Sequence, residues 1–159
     1  VIESRGLGDV YKRQSINKAL KADITFKAEC LQETGSFKLR GASSAISVLS
    51  KEEKSRGVVA FSSGNHAQGI AYASRELGTS AKIVMPSDAP KIKIRKTQEY
   101  GAEVIFYDRD EDNREEIGFS IAMKEGRKLI KPFDDLNVIY GQGTAALEVM
   151  NEVDTKFDM

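Results

Sequence analysis

The chain has 159 residues, which suits one domain of ordinary size, and 40% of them are hydrophobic, enough for a real core. Lysine plus arginine and aspartate plus glutamate number 24 each, so the charge balance gives no reason to expect nucleic acid or an anionic membrane as partner. The single cysteine, Cys30, excludes an internal disulfide and fits a reducing, cytoplasmic compartment; no apolar run approaches membrane-spanning length and no signal-peptide pattern appears at the start.

Residues 5–14 show no clear helical or strand period, and their wording resembles translated adapter sequence. Residues 1–14 are therefore set apart from the fold. Ile24 to Ala28 alternates like a short strand. Thr34-Gly35-Ser36 supplies a turn with an N-cap at Ser36, and the spacing of Leu39, Ala42, Ile46 and Leu49 predicts a helix over 37–50. Val58 to Phe61 reads as a strand, followed by a small-residue turn and a helix from about His66 to Leu77 that Gly78 ends. Ala81 to Met85 is a strand stopped by Pro86, and Pro90 starts a basic helix that reaches Tyr100. Glu103 to Tyr107 is the next strand, and Asp112 caps a helix with Ile117, Ile121 and Met123 inside. Lys128 to Ile130 is a short strand before Pro132, and a last helix is expected from about Thr144 to Val153. This alternation predicts an α/β fold in three layers, a mainly parallel sheet covered by helices on both faces through right-handed crossovers. Val1 at one end and the uncapped Phe157-Asp158-Met159 at the other lead to the expectation of a fragment.

Two runs carry chemistry. The first is Thr34-Gly35-Ser36-Phe37-Lys38-Leu39-Arg40-Gly41-Ala42. It puts Lys38 at a helix start, where the dipole and partial burial disfavour the ammonium and favour a neutral amine or Schiff base. A lysine chosen at random is far more often a solvated helix residue. Here Phe37 can pack on a flat ring, and Gly35 and Gly41 allow close backbone approach. The second run is Ser62-Ser63-Gly64-Asn65-His66-Ala67-Gln68-Gly69. A strand, small residues and a helix start leave several backbone N–H groups aimed at one spot, which binds carboxylate or phosphate. Asn65 can donate to a phenolate oxygen, and Ser63 carries a hydroxyl that could pass a proton. Taken alone this run is more simply an N-cap turn. His66, the one histidine, lacks companions at ligand spacing, so packing or capping is expected and no metal site. Gly141-Gln142-Gly143-Thr144 reads as a helix-start turn, and the acidic run from Asp108 to Glu116 as a solvated helix entry with local ion pairs.

Together these runs resemble the fold-type II, tryptophan synthase β-like enzymes that use pyridoxal phosphate, and within them the serine/threonine dehydratase and serine racemase branch. Lys27-Ala28-Glu29 leading into Thr34 to Ala42 matches that branch's cofactor-lysine motif, and Ser62 to Gln68 its asparagine loop. Met85-Pro86, Ala89-Pro90-Lys91, Tyr100-Gly101-Ala102 and Gly141 to Thr144 match further landmarks, over a span from about residue 15 to the end. The resemblance implies a truncated tryptophan synthase β-like fold. Residues 15–159 would be the N-terminal part of the catalytic domain, with most of its small domain at about 41–141. It implies that Lys38 holds the cofactor as an imine and later takes the substrate's α-proton, that Phe37 packs on the ring, and that Asn65 bonds its phenolate oxygen. Ser62, Ser63, Gly64, Asn65 and His66 would hold the substrate carboxylate, largely through main-chain N–H groups.

The implied reaction is β-elimination from L-threonine or L-serine to a 2-oxo acid and ammonia. Ser63 keeps racemisation open, because similar racemases use a hydroxyl there as second acid/base. The run Tyr107-Asp108-Arg109 with Asp112 to Glu116 resembles hydroxyaspartate dehydratases of the branch. A non-catalytic anion-binding α/β module is the remote alternative. The family's tetraglycine phosphate loop would lie beyond Met159, as would the partner of the pyridine nitrogen and the carboxylates that bind a divalent cation in some members. The isolated chain is therefore expected to be inactive, and the full-length protein to be a homo-oligomer by analogy.

Overall fold

In the computed structural model, which describes residues 10–12 and 14–153, strand β1 (Val10–Lys12) pairs antiparallel with β2 (Thr25–Lys27), Tyr11 opposite Phe26. Helix α1 (Gln14–Leu20) lies between them in sequence. Residues 10–14 had no readable period of their own. Pairing with β2 is what draws Val10–Lys12 into a strand, so this part of the segment set apart above belongs to the described fold. Residues 1–9 lie outside the described residues.

Helix α2 (Lys38–Ser47) has Phe37 rather than Ser36 at its N-cap; the buried Ser36 hydroxyl has no partner among the described residues. It stops short of residue 50 because a new helix begins there. In α3 (Lys51–Arg56) the Ser50 hydroxyl accepts the Glu53 N–H at 3.1 Å and the Glu53 carboxylate accepts the Ser50 N–H at 2.9 Å. That reciprocal capping box, Ser-x-x-Glu, was readable in the sequence and outcompetes continuation of α2.

From there the chain runs β3 (Val58–Phe61), α4 (Asn65–Glu76), β4 (Ala81–Pro86), α5 (Lys91–Glu99), β5 (Glu103–Tyr107), α6 (Arg114–Glu125), β6 (Lys128–Leu129) and α7 (Leu136–Glu152). The four strands are parallel in the order β5-β4-β3-β6. Val58, Ala60, Ile83 and Met85 face α2 and α4 through Ala42, Ile46, Ala67 and Ile70, while Val59, Phe61, Val84 and Tyr107 face α6 through Ile117 and Ile121. Both faces are thus covered, as the run of nearly uninterrupted apolar residues in β3 requires. Ile46, Ile70 and Ile83 are fully buried, and each contributes about 1.5–3 kcal/mol by transfer from water. Among the described residues no helix is long and apolar enough to cross a membrane.

Three further expectations need correction. Asn113, not Asp112, caps α6, accepting the N–H groups of Glu115 and Glu116; the Asp112 carboxylate accepts the Asp108 N–H at 2.8 Å instead. Met123, expected inside, is 82% exposed on α6. The third concerns α7, which starts at Leu136 rather than near Thr144, capped by the Asp135 carboxylate on the N–H groups of Asn137 and Val138. Gly141 and Gly143 therefore sit inside a helix. A Cβ at Gly141 would lie 2.5 Å from the Arg40 carbonyl and 2.6 Å from Gly41 Cα, so this glycine serves a close crossing of α7 over α2 rather than a turn.

Candidate active site

The site lies where the chain reverses its direction of travel across the sheet. After β3 it moves outward through β4 to β5, then returns through α6 to lay β6 on the opposite edge of β3. The carboxyl ends of β3 and β6 border that switch point, the place where open α/β sheets form a crevice. Ser62-Ser63-Gly64 follows β3, and Lys131-Pro132 follows β6.

Lys38 is the first residue of α2, as expected, and is half-buried. Its ammonium donates to the Pro132 carbonyl at 3.2 Å and sits 5.2 Å from the centre of the Phe37 ring. Phe37 remains 43% exposed. Lys38 is held close to α4 by Gly69, where a Cβ would meet the Lys38 carbonyl oxygen at 3.1 Å.

The second run forms the N-terminus of α4. Ser62 donates its N–H to the Val84 carbonyl, and its hydroxyl accepts the Gly64 N–H at 3.2 Å. Those internal bonds occupy two of the donors assigned above to a carboxylate. The first helical N–H groups, those of Asn65, His66 and Ala67, have no carbonyl one turn earlier within the helix, and Gly64 at the N-cap makes no side-chain bond. Ser63 is half-buried in the loop between β3 and α4. Asn65 is exposed and its side-chain oxygen accepts Lys93 Nζ at 2.6 Å, leaving the amide NH₂ as its free donor.

His66 is 3% exposed, with Nε2 at 3.3 Å from the Ile130 carbonyl. Burial pushes the imidazole down to about 4; the nearby Lys38 charge acts the same way, and the Ile130 carbonyl and Asp135 oppose. The ring is neutral at ordinary pH. The packing role expected for it is what the geometry provides. Among the described residues no group of three His, Cys, Asp or Glu side chains is placed to hold a metal ion.

Around Lys38 the packing is tied by ions. The Arg40 guanidinium lies between two carboxylates, meeting Glu29 at 2.8 and 2.9 Å and Glu148 at 2.7 Å through each of two nitrogens, and also donates to the Thr144 hydroxyl. Lys27 meets Glu148 at 3.0 Å and Glu152 at 3.1 Å. Burial opposes the Arg40 charge, but the two carboxylates hold its pKa above the ordinary value; Glu148 is held below the usual carboxylate range, chiefly by Arg40 and against burial. The network clamps the first turn of α2 to β2 and α7. Arg40, Glu148, Lys93 and the Pro132 carbonyl carried no local sign of these roles, since each pairs with residues distant in sequence. The acidic entry to α6 also reaches further than local pairs: Arg109 bonds Asp88 at 2.7 Å, and Arg114 lies over the Phe61 ring.

These groups suit pyridoxal phosphate in its amine-reactive part. Lys38 has no carboxylate partner among the described residues, an aromatic face lies beside it, and a helix start with unspent N–H donors lies nearby. The family model described as "Pyridoxal-phosphate dependent enzyme" matches residues 9–159. The chain belongs to this family. Over 144 residues it is 49% identical to the L-threo-3-hydroxyaspartate ammonia-lyase of Saccharomyces cerevisiae, covering 91% of this chain and 44% of that protein. Over 138 residues it is 47% identical to the L-threonine ammonia-lyase of Thermotoga maritima, covering 87% of this chain and 34% of that one. The crystal structure of serine racemase from Dictyostelium discoideum aligns with a TM-score of 0.85 at 44% identity, over 92% of this chain and 48% of its own. The chain spans less than half the length of these relatives, and the family match begins at residue 9, inside the segment set apart in the sequence.

Proposed function

We propose that the full-length protein is an ammonia-lyase that converts L-threonine or L-serine to a 2-oxo acid and ammonia, and that this chain supplies the lysine side of its site. The observation that carries this reading is Lys38 at the first position of α2, its amine at the β3/β6 switch point beside the start of α4. Pyridoxal phosphate, when bound, supplies the electron sink that makes the substrate α-proton removable. Lys38 is assigned two tasks, holding the cofactor covalently at Nζ and taking the α-proton at the same atom once substrate has displaced it. Phe37 offers a ring face, and the Asn65 amide a donor for an anionic ring oxygen. The N–H groups of Asn65 and His66, with that of Ser63 in support, fit a substrate carboxylate at the positive end of α4, while the Ser62 and Gly64 N–H groups are spent within the protein. We assign the small domain to about residues 41–141, the stretch that holds the four-stranded sheet.

The test uses full-length protein with L-threonine. Turnover, and a borohydride-stable cofactor adduct on the Lys38 peptide that Lys38→Ala abolishes, support the reading; unchanged cofactor absorbance in Lys38→Ala sinks it. A second reading, racemisation, is favoured by a hydroxyl at Ser63, half-buried between the end of β3 and the start of α4. Chiral analysis with L-serine separates the two: D-serine that forms in wild type and disappears in Ser63→Ala assigns the hydroxyl as second acid/base, while no D-serine from wild type removes that reading. Preference for 3-hydroxyaspartate over threonine in the same assay would move the substrate assignment to the third activity named among the relatives.

A further inference from the structure

We propose that the Ile130–Pro132 strap between β6 and α7 is a backbone cradle for the Lys38 amine, and that His66 is the positioning residue that holds this strap in place. The strap takes one hydrogen bond from each of two helices. Lys38, at the start of α2, donates to the Pro132 carbonyl at 3.2 Å, and the His66 ring, in the first turn of α4, meets the Ile130 carbonyl at 3.3 Å. Ile130 is fixed from its other side as well, since its N–H donates to the Val59 carbonyl of β3 at 2.9 Å, and its side chain is 2% exposed.

Sequence chemistry explains why the strap ends where it does. Pro132 has no N–H, so the pairing of β6 with β3 cannot continue through it, and its carbonyl is left to turn toward another donor. Asp135 then caps α7 and fixes the far end. The Ile130 carbonyl can only accept, so the proton of the neutral His66 ring sits on Nε2 and the lone pair on Nδ1. Nδ1 is buried without a partner among the described residues. A buried acceptor left unpaired is costly, and a leucine or methionine would fill the same space without that cost. Retaining an imidazole there makes sense if its Nε2–H is needed, and what it reaches is the strap that bears the lysine's acceptor.

The proposal rests on Lys38 as the cofactor-bearing residue, and the experiment separates the two. In cofactor-free full-length protein, reductive methylation followed by peptide mass spectrometry reads the reactivity of Lys38 against the other lysines. His66→Leu is expected to raise Lys38 labelling about tenfold and to weaken pyridoxal phosphate binding by a similar factor, the size of one net hydrogen bond. His66→Gln, which can place an amide N–H near the Nε2 position, is expected to restore both to within about twofold. A folded His66→Leu protein with unchanged Lys38 labelling overturns the cradle, as does His66→Gln behaving like His66→Leu. Should His66→Leu fail to fold, imidazole ¹⁵N shifts of the wild type decide: Nε2–H is expected, and a ring protonated on Nδ1 overturns the proposal. Unchanged cofactor absorbance in Lys38→Ala would instead refute the cofactor assignment while leaving the labelling result standing.

Discussion

Replacing Arg40 by methionine removes the cation between Glu29 and Glu148 while keeping most of the apolar stem. The arginine side chain is 7% exposed, and the carboxylate side chains of Glu29 and Glu148 are 16% and 23% exposed. A buried ion pair is worth little net against an apolar replacement of the whole set, because desolvation offsets attraction. Removing one partner is different, since it strands the other charges and costs about 3–5 kcal/mol. Here Lys27 still neutralises Glu148 from 3.0 Å, and both carboxylates keep some water, so the lower end, about 3 kcal/mol, is expected. At 2–4 °C per kcal/mol, that is a fall of roughly 6–12 °C in the thermal midpoint of the full-length protein. Arg40→Lys keeps the charge but cannot fork to two carboxylates, and should fall about half as far. The cycle Arg40→Met with Glu148→Gln should show coupling of at least about 1 kcal/mol. Because Arg40 is two residues from Lys38 in the same first turn, cofactor affinity should drop along with stability. A midpoint within about 2 °C of wild type, or additive single changes, would refute the clamp.

Three further outcomes are expected. His66 is neutral in the fold, so protons bind the unfolded chain preferentially between the ordinary value of 6.5 and about 4; stability is whole above that window and falls by about 3 kcal/mol as pH drops through it, a slope that urea midpoints should lose in His66→Gln. Glu148, held below its ordinary 4.5, contributes stability that is present above that pH and lost as pH falls through its lowered value, and Arg40→Met should shrink this acid limb in the same titration while Lys27 keeps the remainder. Gly141→Ala forces a methyl against backbone at 2.5 Å and should destabilise by about 1–3 kcal/mol, whereas Gly143→Ala, with nothing within 4 Å, should stabilise by about 0.5–1 kcal/mol in thermal melts; equal effects would mean that α7 does not cross α2 as described.

Much of this architecture was readable. The apolar runs at Val58, Ala81 and Glu103 lie between clear punctuation, Gly57, Pro86 and Gly101, and their strand bounds match the expectation closely. The two runs around Lys38 and Ser62 were legible because helix-start chemistry is local. What stayed hidden was set by distant partners. The start of α7 was missed because glycine inside a helix looks like a turn until the Arg40 carbonyl is known to lie against it. Asn113 and Asp112 are both good caps by type, and only the Asp112 bond to the Asp108 N–H decides between them. Met123 has the spacing of a core residue but falls beyond the edge of the sheet's α6 contact formed by Ile117, Ile121 and Ala122.

The least legible feature is also the one on which the site depends. The strand segment Lys128–Leu129 is short and half charged, and nothing in it shows that it joins the far edge of β3 rather than the near edge of β5. Had it extended the sheet beside β5, two strands, β5 and β4, would separate the Pro132 carbonyl from the end of β3, and Lys38 would lose that acceptor. Because it returns to β3, the carbonyls of Ile130 and Pro132 arrive beside the starts of α2 and α4 together, at the one break in strand order. The lysine motif and the asparagine loop are each ordinary helix starts alone. Their convergence on the same returning strap is what sets them apart from two unrelated helix starts.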